Sequence, residues 1–141
     1  MKWKTIAEFF EKIAKSRNST AEIAWGAAIG TFISIFPTFG LGTPIVLLLS
    51  RIFKFNLAIA LATSLISNPF TSPFFMVLNY MVGTIFLHNT IVFEIDNWKA
   101  DLKEIGVTIL IGSFFVSGIM ATIAFYFSKY MVRKFRNDKE F

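Results

Sequence analysis

The sequence predicts an all-α, small multi-pass membrane protein with proline-broken helices and one simple C-terminal transmembrane helix, and three observations carry that prediction. First, 55% of its 141 residues are hydrophobic, only 16% are charged, and the mean hydropathy is +0.61, which is too apolar for a soluble domain of this size. Second, the charges are segregated. Apart from Arg51 and Lys54, every Asp, Glu, Lys and Arg lies before Ile23, between Glu94 and Glu104, or after Ser128. Third, all four prolines, Pro37, Pro44, Pro69 and Pro73, fall inside the two longest uncharged runs, Ile23 to Ser50 and Phe55 to Phe93. Proline removes a backbone donor and clashes with the preceding turn, so each pair forces non-helical backbone where lipid cannot satisfy the freed groups.

Residues 1–18 read as an amphipathic helix, with Trp3, Ile6, Phe10 and Ile13 at helical spacing among Lys2, Lys4, Lys12 and Lys15. Such a helix lies in the membrane interface or packs on the rest of the chain. Residues 19–93 form a membrane domain with breaks at 36–44 and 68–73. Ser19 and Glu22 make an S-x-x-E capping box, which starts a helix near Thr20. That helix carries Gly26, Gly30 and Ser34 at four-residue intervals, a small-residue stripe for close helix packing. It stops at Phe36-Pro37-Thr38-Phe39-Gly40, and a short helix follows from Pro44 to about Phe53. The two arms are too short for two crossings, so they form a re-entrant hairpin or a pair of short, tilted helices.

The second run repeats the plan, with a helix from Leu57 to Ser67, a break at Asn68-Pro69-Phe70-Thr71-Ser72, and a longer helix from Pro73 to about Phe93. Thr43-Pro44 and Ser72-Pro73 both read as helix starts, a hydroxyl cap before a proline that needs no donor. The spacing suggests a degenerate repeat of roughly thirty residues. Residues 94–104, acidic and containing Trp98, read as an extracytoplasmic loop, residues 105–128 as a simple span, and residues 129–141 as a basic cytoplasmic tail. Within the span, Gly112, Ser113, Ser117, Gly118 and Ala121 offer a second small-residue face. Lysines and arginines concentrate before Thr20 and after Ser128, which places both termini in the cytoplasm.

An ordered set of residues, Ala24, Gly26, Gly30, Phe32, Pro37, Gly40, Thr43, Asn56, Asn68, Pro69, Thr71 and Gly83, resembles the bacterial membrane family catalogued as domain of unknown function 2062. Its pattern has a G-x-x-x-G helix, a proline-glycine turn, a mid-domain Asn and an Asn-Pro-x-Thr segment, and the likeness runs from about Ser19 to Leu87. The resemblance implies a small multi-pass protein of the bacterial inner membrane and brings no activity with it. Some relatives are joined to glycosyltransferase-like domains, which hints at envelope chemistry. Where the family commonly has a proline near the start of the first helix, this chain has Asn18-Ser19-Thr20.

The expected site is a mid-membrane polar locus formed where the two breaks meet. Thr38, Gly40, Thr43, Pro44, Asn68, Pro69, Thr71, Ser72 and Pro73 build it, with Asn79 further along the last broken helix. Half-helix N-termini aimed at one point favour a neutral or anionic solute or a lipid headgroup. The plain alternative is that these groups satisfy one another and lock a compact fold. Phe36, Phe39, Phe70, Phe74 and Phe75 are expected to seal the breaks from lipid.

Several classes are disfavoured by composition. The chain has no cysteine and one histidine, His88, so it offers no thiolate, no sulfur-based metal site and no histidine cluster. Ser64 and Ser67 have no base beside them in sequence, so no enzyme is expected, and no cofactor or metal. A proton relay lacks an intramembrane carboxylate. The net charge of +5 follows from orientation rules rather than from nucleic-acid binding. The expected partners are the lipid bilayer, further copies of the chain and, in the alternative reading, an envelope enzyme for which the protein is a scaffold or accessory subunit.

Overall fold

A computed structural model describes residues 3–14, 18–88 and 95–137. The expectations that rest on Lys2, residues 15–17, residues 89–94 and residues 138–141 lie outside the described residues, as do those on the side chains of Ile6, Phe10 and Ile13. Among the described residues the chain is all-helical: α1 (Trp3–Ala14), α2 (Thr20–Ile35), α3 (Gly42–Ile52), α4 (Leu57–Ser64), α5 (Ser72–Leu87) and α6 (Trp98–Asn137), the last preceded by a 3₁₀ turn at Ile95–Asn97.

The 40-residue α6 is the spine. At 1.5 Å per residue it is about 60 Å long, twice the hydrocarbon thickness of a bilayer, and Ile95–Asn137 is the one candidate membrane span by length and composition among the described residues. Its early start corrects the loop expected at 94–104, since Trp98 to Glu104 are helical. α2 runs antiparallel along its C-terminal half. Trp25 meets Phe125 edge-on at 5.0 Å, Phe32 meets Phe114 at 6.4 Å, and Arg136 donates to the Thr20 hydroxyl at 2.9 Å and to the Asn18 carbonyl at 2.6 Å. α5 runs antiparallel along the N-terminal half of the same spine, and α1 also lies against α6.

The helix boundaries follow local chemistry. Ser19 caps α2, its Oγ accepting from the Glu22 amide at 3.1 Å as the capping box predicts. α3 folds back antiparallel on α2 through a cluster of Ile33, Val46, Phe55 and Ala60. Asn56 caps α4, its Oδ1 accepting from Ile59 N at 3.0 Å, while its own amide reaches the Glu22 carbonyl at 3.0 Å. α4 then lies parallel to α2 along the predicted stripe. A Cβ on Gly26 would stand 2.5 Å from the Asn56 carbonyl oxygen, and one on Gly30 would meet Ala60 and Thr63. One turn further on, Ser34 Oγ accepts from the Ser67 amide at 2.6 Å.

The α5–α6 crossing is equally close and reciprocal. Gly83 lies on the backbone of Thr108, and Gly112 on the backbone of Asn79. Gly112, Ser113 and Ser117 are buried, as the small-residue face predicts, whereas Gly118 faces open space. Ser113 and Ser117 turn their hydroxyls back onto carbonyls of their own helix, Leu110 and Ser113 respectively. The repeat is one of element order only. The first helix–break–helix unit doubles back, because Val46 of α3 packs on α2, whereas the second continues onward, because Gly83 docks α5 on α6.

Candidate functional site: the cavity between the two breaks

The first break is a tight turn. Leu41 N donates to the Thr38 carbonyl at 3.0 Å across Phe39 and Gly40, whose φ values are +51° and +87°. Both central residues are left-handed, which suits glycine and strains phenylalanine. The second break satisfies itself. Asn68 Oδ1 accepts from Phe70 N at 2.9 Å and Thr71 N at 3.1 Å, while Thr71 Oγ1 accepts from Asn68 N at 2.9 Å and donates to the Ile66 carbonyl at 2.8 Å.

The expected hydroxyl caps are corrected by one or two residues. α3 begins at Gly42 with Leu41 at its N-cap, so Thr43 and Pro44 are already in the first turn; α5 begins at Ser72 with Thr71 at its N-cap. Neither cap side chain bonds a helix amide. The prolines are tolerated because first-turn amides have no intrahelical partner.

The two breaks border one half-open cavity of about 390 Å³, within the range of small-ligand sites. Of the expected residues, Thr38, Gly40, Thr43, Asn68, Pro69 and Ser72 line it, so both helix starts contribute to its wall. Thr71 braces the second break from outside the lining, and Pro44 and Pro73 are exposed away from it. Ser34, expected in helix packing, and Ser64 and Ser67, expected only to lack a catalytic base, also stand in the wall. The signal for Ser34 and Ser67 was their place beside the two breaks, three residues before Pro37 and two before Pro69.

Asn79 lines the same cavity and is 1% exposed. Its Nδ2 donates to the Ile35 carbonyl at 3.3 Å, the free end of α2, and its Oδ1 has no partner among the described residues. The amide orientation follows from that bond, because the reversed one would set two acceptors together. Among the described residues one other buried side-chain oxygen, Thr31 Oγ1, is unpartnered, and Thr31 is not in the cavity wall. No charged side chain lines the cavity, and no cluster of metal-ligating side chains occurs among the described residues.

The phenylalanines expected at the breaks divide between outward-facing and cavity-facing positions. Phe39 and Phe70, at the tips of the two turns, are 90% and 93% exposed, and Phe74 also faces outward. Phe36 stacks on Phe32 at 5.8 Å, and Phe36, Phe39 and Phe75 all line the cavity. A tip residue of a two-residue turn has no neighbouring element to pack against.

No curated protein and no solved structure matches the chain. A family model does, over residues 3–140, well beyond the segment in which the motifs were recognised. Its description is an uncharacterized protein conserved in bacteria. The chain belongs to the bacterial family catalogued as domain of unknown function 2062.

Proposed function

We propose that the protein is a small multi-pass carrier or channel-like protein of the bacterial cytoplasmic membrane, whose polar site is the cavity between the two breaks. On this reading α2 enters from the cytoplasmic side and α3 returns, α4 and α5 make one broken crossing, and α6 crosses back. The uncharged stretch Ile105–Ser128 marks the hydrocarbon, and the end of α2, beside Phe114, then lies near its middle. The contact of Arg136 with Thr20 and Asn18 supports a common side for both ends, and the basic excess there favours the cytoplasm. Irregular backbone at mid-depth is tolerated where it lines a wet cavity, as in transporters built on broken helices.

One observation carries the proposal: a buried acceptor, Asn79 Oδ1, without a partner in the wall of an uncharged cavity of ligand size. Leaving such a group dry costs about 1–3 kcal/mol, which a bound water or solute recovers. The solute presents a hydrogen-bond donor to Asn79 Oδ1 and is neutral or carries modest negative charge placed towards the helix starts, since no formal charge stands in the wall. The chain acts without cofactor or catalysis and assembles with further copies, which cover the open side of the cavity near Phe39 and Phe70. In the alternative, a scaffold for an envelope enzyme, the small-residue faces would recruit the partner. Those around Gly26, Gly30, Gly83 and Gly112 are occupied within the chain, so that alternative keeps α1 as its docking element.

Reconstitution into proteoliposomes and shrink–swell assays with neutral, zwitterionic and anionic solutes test the proposal. At least one solute enters faster than into empty liposomes, and Asn79→Leu, similar in volume, slows it about tenfold for the loss of one buried hydrogen bond. Equal entry with and without protein, across the panel, would contradict it.

A further inference from the structure

Away from the polar cavity the chain carries two apolar grooves that meet at one side chain, Trp25. Between α2 and the end of α3, Trp25, Ile29, Leu49, Phe53, Lys54 and Phe55 line a groove of about 450 Å³. Between α2 and α6, Trp25, Ala28, Ala121, Thr122, Phe125 and Tyr126 line one of about 320 Å³. Trp25 stands half exposed as the ridge between them, held edge-on against Phe125.

Each groove has a cation. Lys54 is part of the first wall, and the Lys129 ammonium lies 5.7 Å from the Phe125 ring centre of the second. Both cations stand at the same end of α2. Two residues beyond Lys54, the Asn56 amide bonds Glu22 in the first turn of α2; beyond Lys129, Arg136 bonds Thr20 at the helix start. Arg51 is exposed one turn before Lys54, and between Thr20 and Phe93 the sequence holds a single acid, the half-buried Glu22 in the first turn of α2, against the three cations Arg51, Lys54 and Lys129.

We propose that this paired groove binds one anionic glycerophospholipid of the cytoplasmic leaflet, with an acyl chain on each side of Trp25 and the phosphate between Lys54 and Lys129. Two hydrocarbon slots separated by an aromatic ridge match the two tails of a diacyl lipid, and cations at one common end match a single anionic headgroup. Tryptophan at headgroup depth and lysine stems lying on aromatic faces are the ordinary chemistry of that interface. A zwitterionic lipid fits the slots equally well but gains nothing net from the lysines, so headgroup selectivity is the signature. The inference rests on the membrane reading above.

The test uses the full chain carrying Trp3→Phe and Trp98→Phe, so that Trp25 is the sole tryptophan and is excited selectively over the three tyrosines, reconstituted in bilayers with brominated acyl chains on either phosphatidylglycerol or phosphatidylcholine. Brominated phosphatidylglycerol, present as the minority lipid, quenches Trp25 more than its mole fraction warrants. Lys54→Ala and Lys129→Ala each reduce that preference about fivefold, the worth of one cation at an anionic headgroup. Lys54→Arg and Lys129→Arg keep it. Quenching that follows mole fraction alone for both lipids overturns the lipid site and leaves the membrane reading standing. No quenching by either lipid overturns both, since Trp25 then does not face hydrocarbon.

Discussion

Gly112→Ala and Gly118→Ala place the same methyl group on the same helix six residues apart, and the fold gives them opposite consequences. At Gly112 a Cβ would stand 2.6 Å from the Gly83 amide nitrogen and 2.7 Å from the Asn79 carbonyl carbon, about 0.8 Å and 0.7 Å inside ordinary van der Waals contact. The Asn79 carbonyl oxygen would lie closer still; all three are backbone atoms, so no side-chain rotation relieves them and α5 must move off α6 by more than about 1 Å. A gap of that size forfeits about half or more of the dispersion energy along the crossing, and overpacking of this kind costs about 1–3 kcal/mol. The upper part of that range applies because the reciprocal contact of Gly83 with Thr108 opens as well. At Gly118 nothing lies within 4 Å, so the alanine only restricts the unfolded chain and stabilises by about 0.5–1 kcal/mol. Denaturant titration in mild detergent, followed by circular dichroism, should separate the two variants by about 3 kcal/mol. Midpoints that agree within about 0.5 kcal/mol would refute the close crossing and with it the position of Asn79 in the cavity wall.

Other predictions address the two breaks and the topology. Asn68→Ala removes the acceptor for two turn amides and lowers stability by about 1–2 kcal/mol in the same titration, comparable to loss of a helix cap. Phe39→Gly is neutral or stabilising by up to about 1 kcal/mol, because glycine adopts the left-handed backbone without strain and adds no polar group at mid-depth; a phenylalanine packed into the protein would instead cost several kcal/mol. A reporter fused after Asn97 reads extracytoplasmic and one fused after Phe141 reads cytoplasmic, and a cytoplasmic signal after Asn97 contradicts the proposed path.

Much of the fold is legible in the sequence where one residue has one local job. Ser19 caps a helix, Gly26, Gly30 and Gly112 admit a neighbouring backbone, and Asn68 with Thr71 closes a turn. Gly26, Gly30, Asn68 and Thr71 also belong to the family pattern. What the sequence conceals is set by tertiary contact. Nothing in Thr43-Pro44 against Ser72-Pro73 says that the first break reverses the chain and the second does not; Val46 on α2 and Gly83 on α6 decide it. The early start of α6 was hidden because charges at 99–104 resemble a loop, although a helix twice the length of a membrane span carries charge at its ends. The exposure of Phe39 and Phe70 was unreadable for the same reason, since composition gives a ring's character but not its direction. The cavity itself was legible as two breaks meeting, and its unpartnered Asn79 Oδ1 only through the Ile35 carbonyl that holds the other end of that amide.

The central claim, that the two breaks border a water-filled site at mid-depth, is tested most directly by thiol accessibility, because the chain has no native cysteine. In reconstituted protein, Thr43→Cys and Ser72→Cys in the cavity wall should react with a membrane-impermeant maleimide from at least one side, while Val77→Cys, exposed on the outer face of α5, should not. Resistance of both cavity positions from both sides would contradict the account.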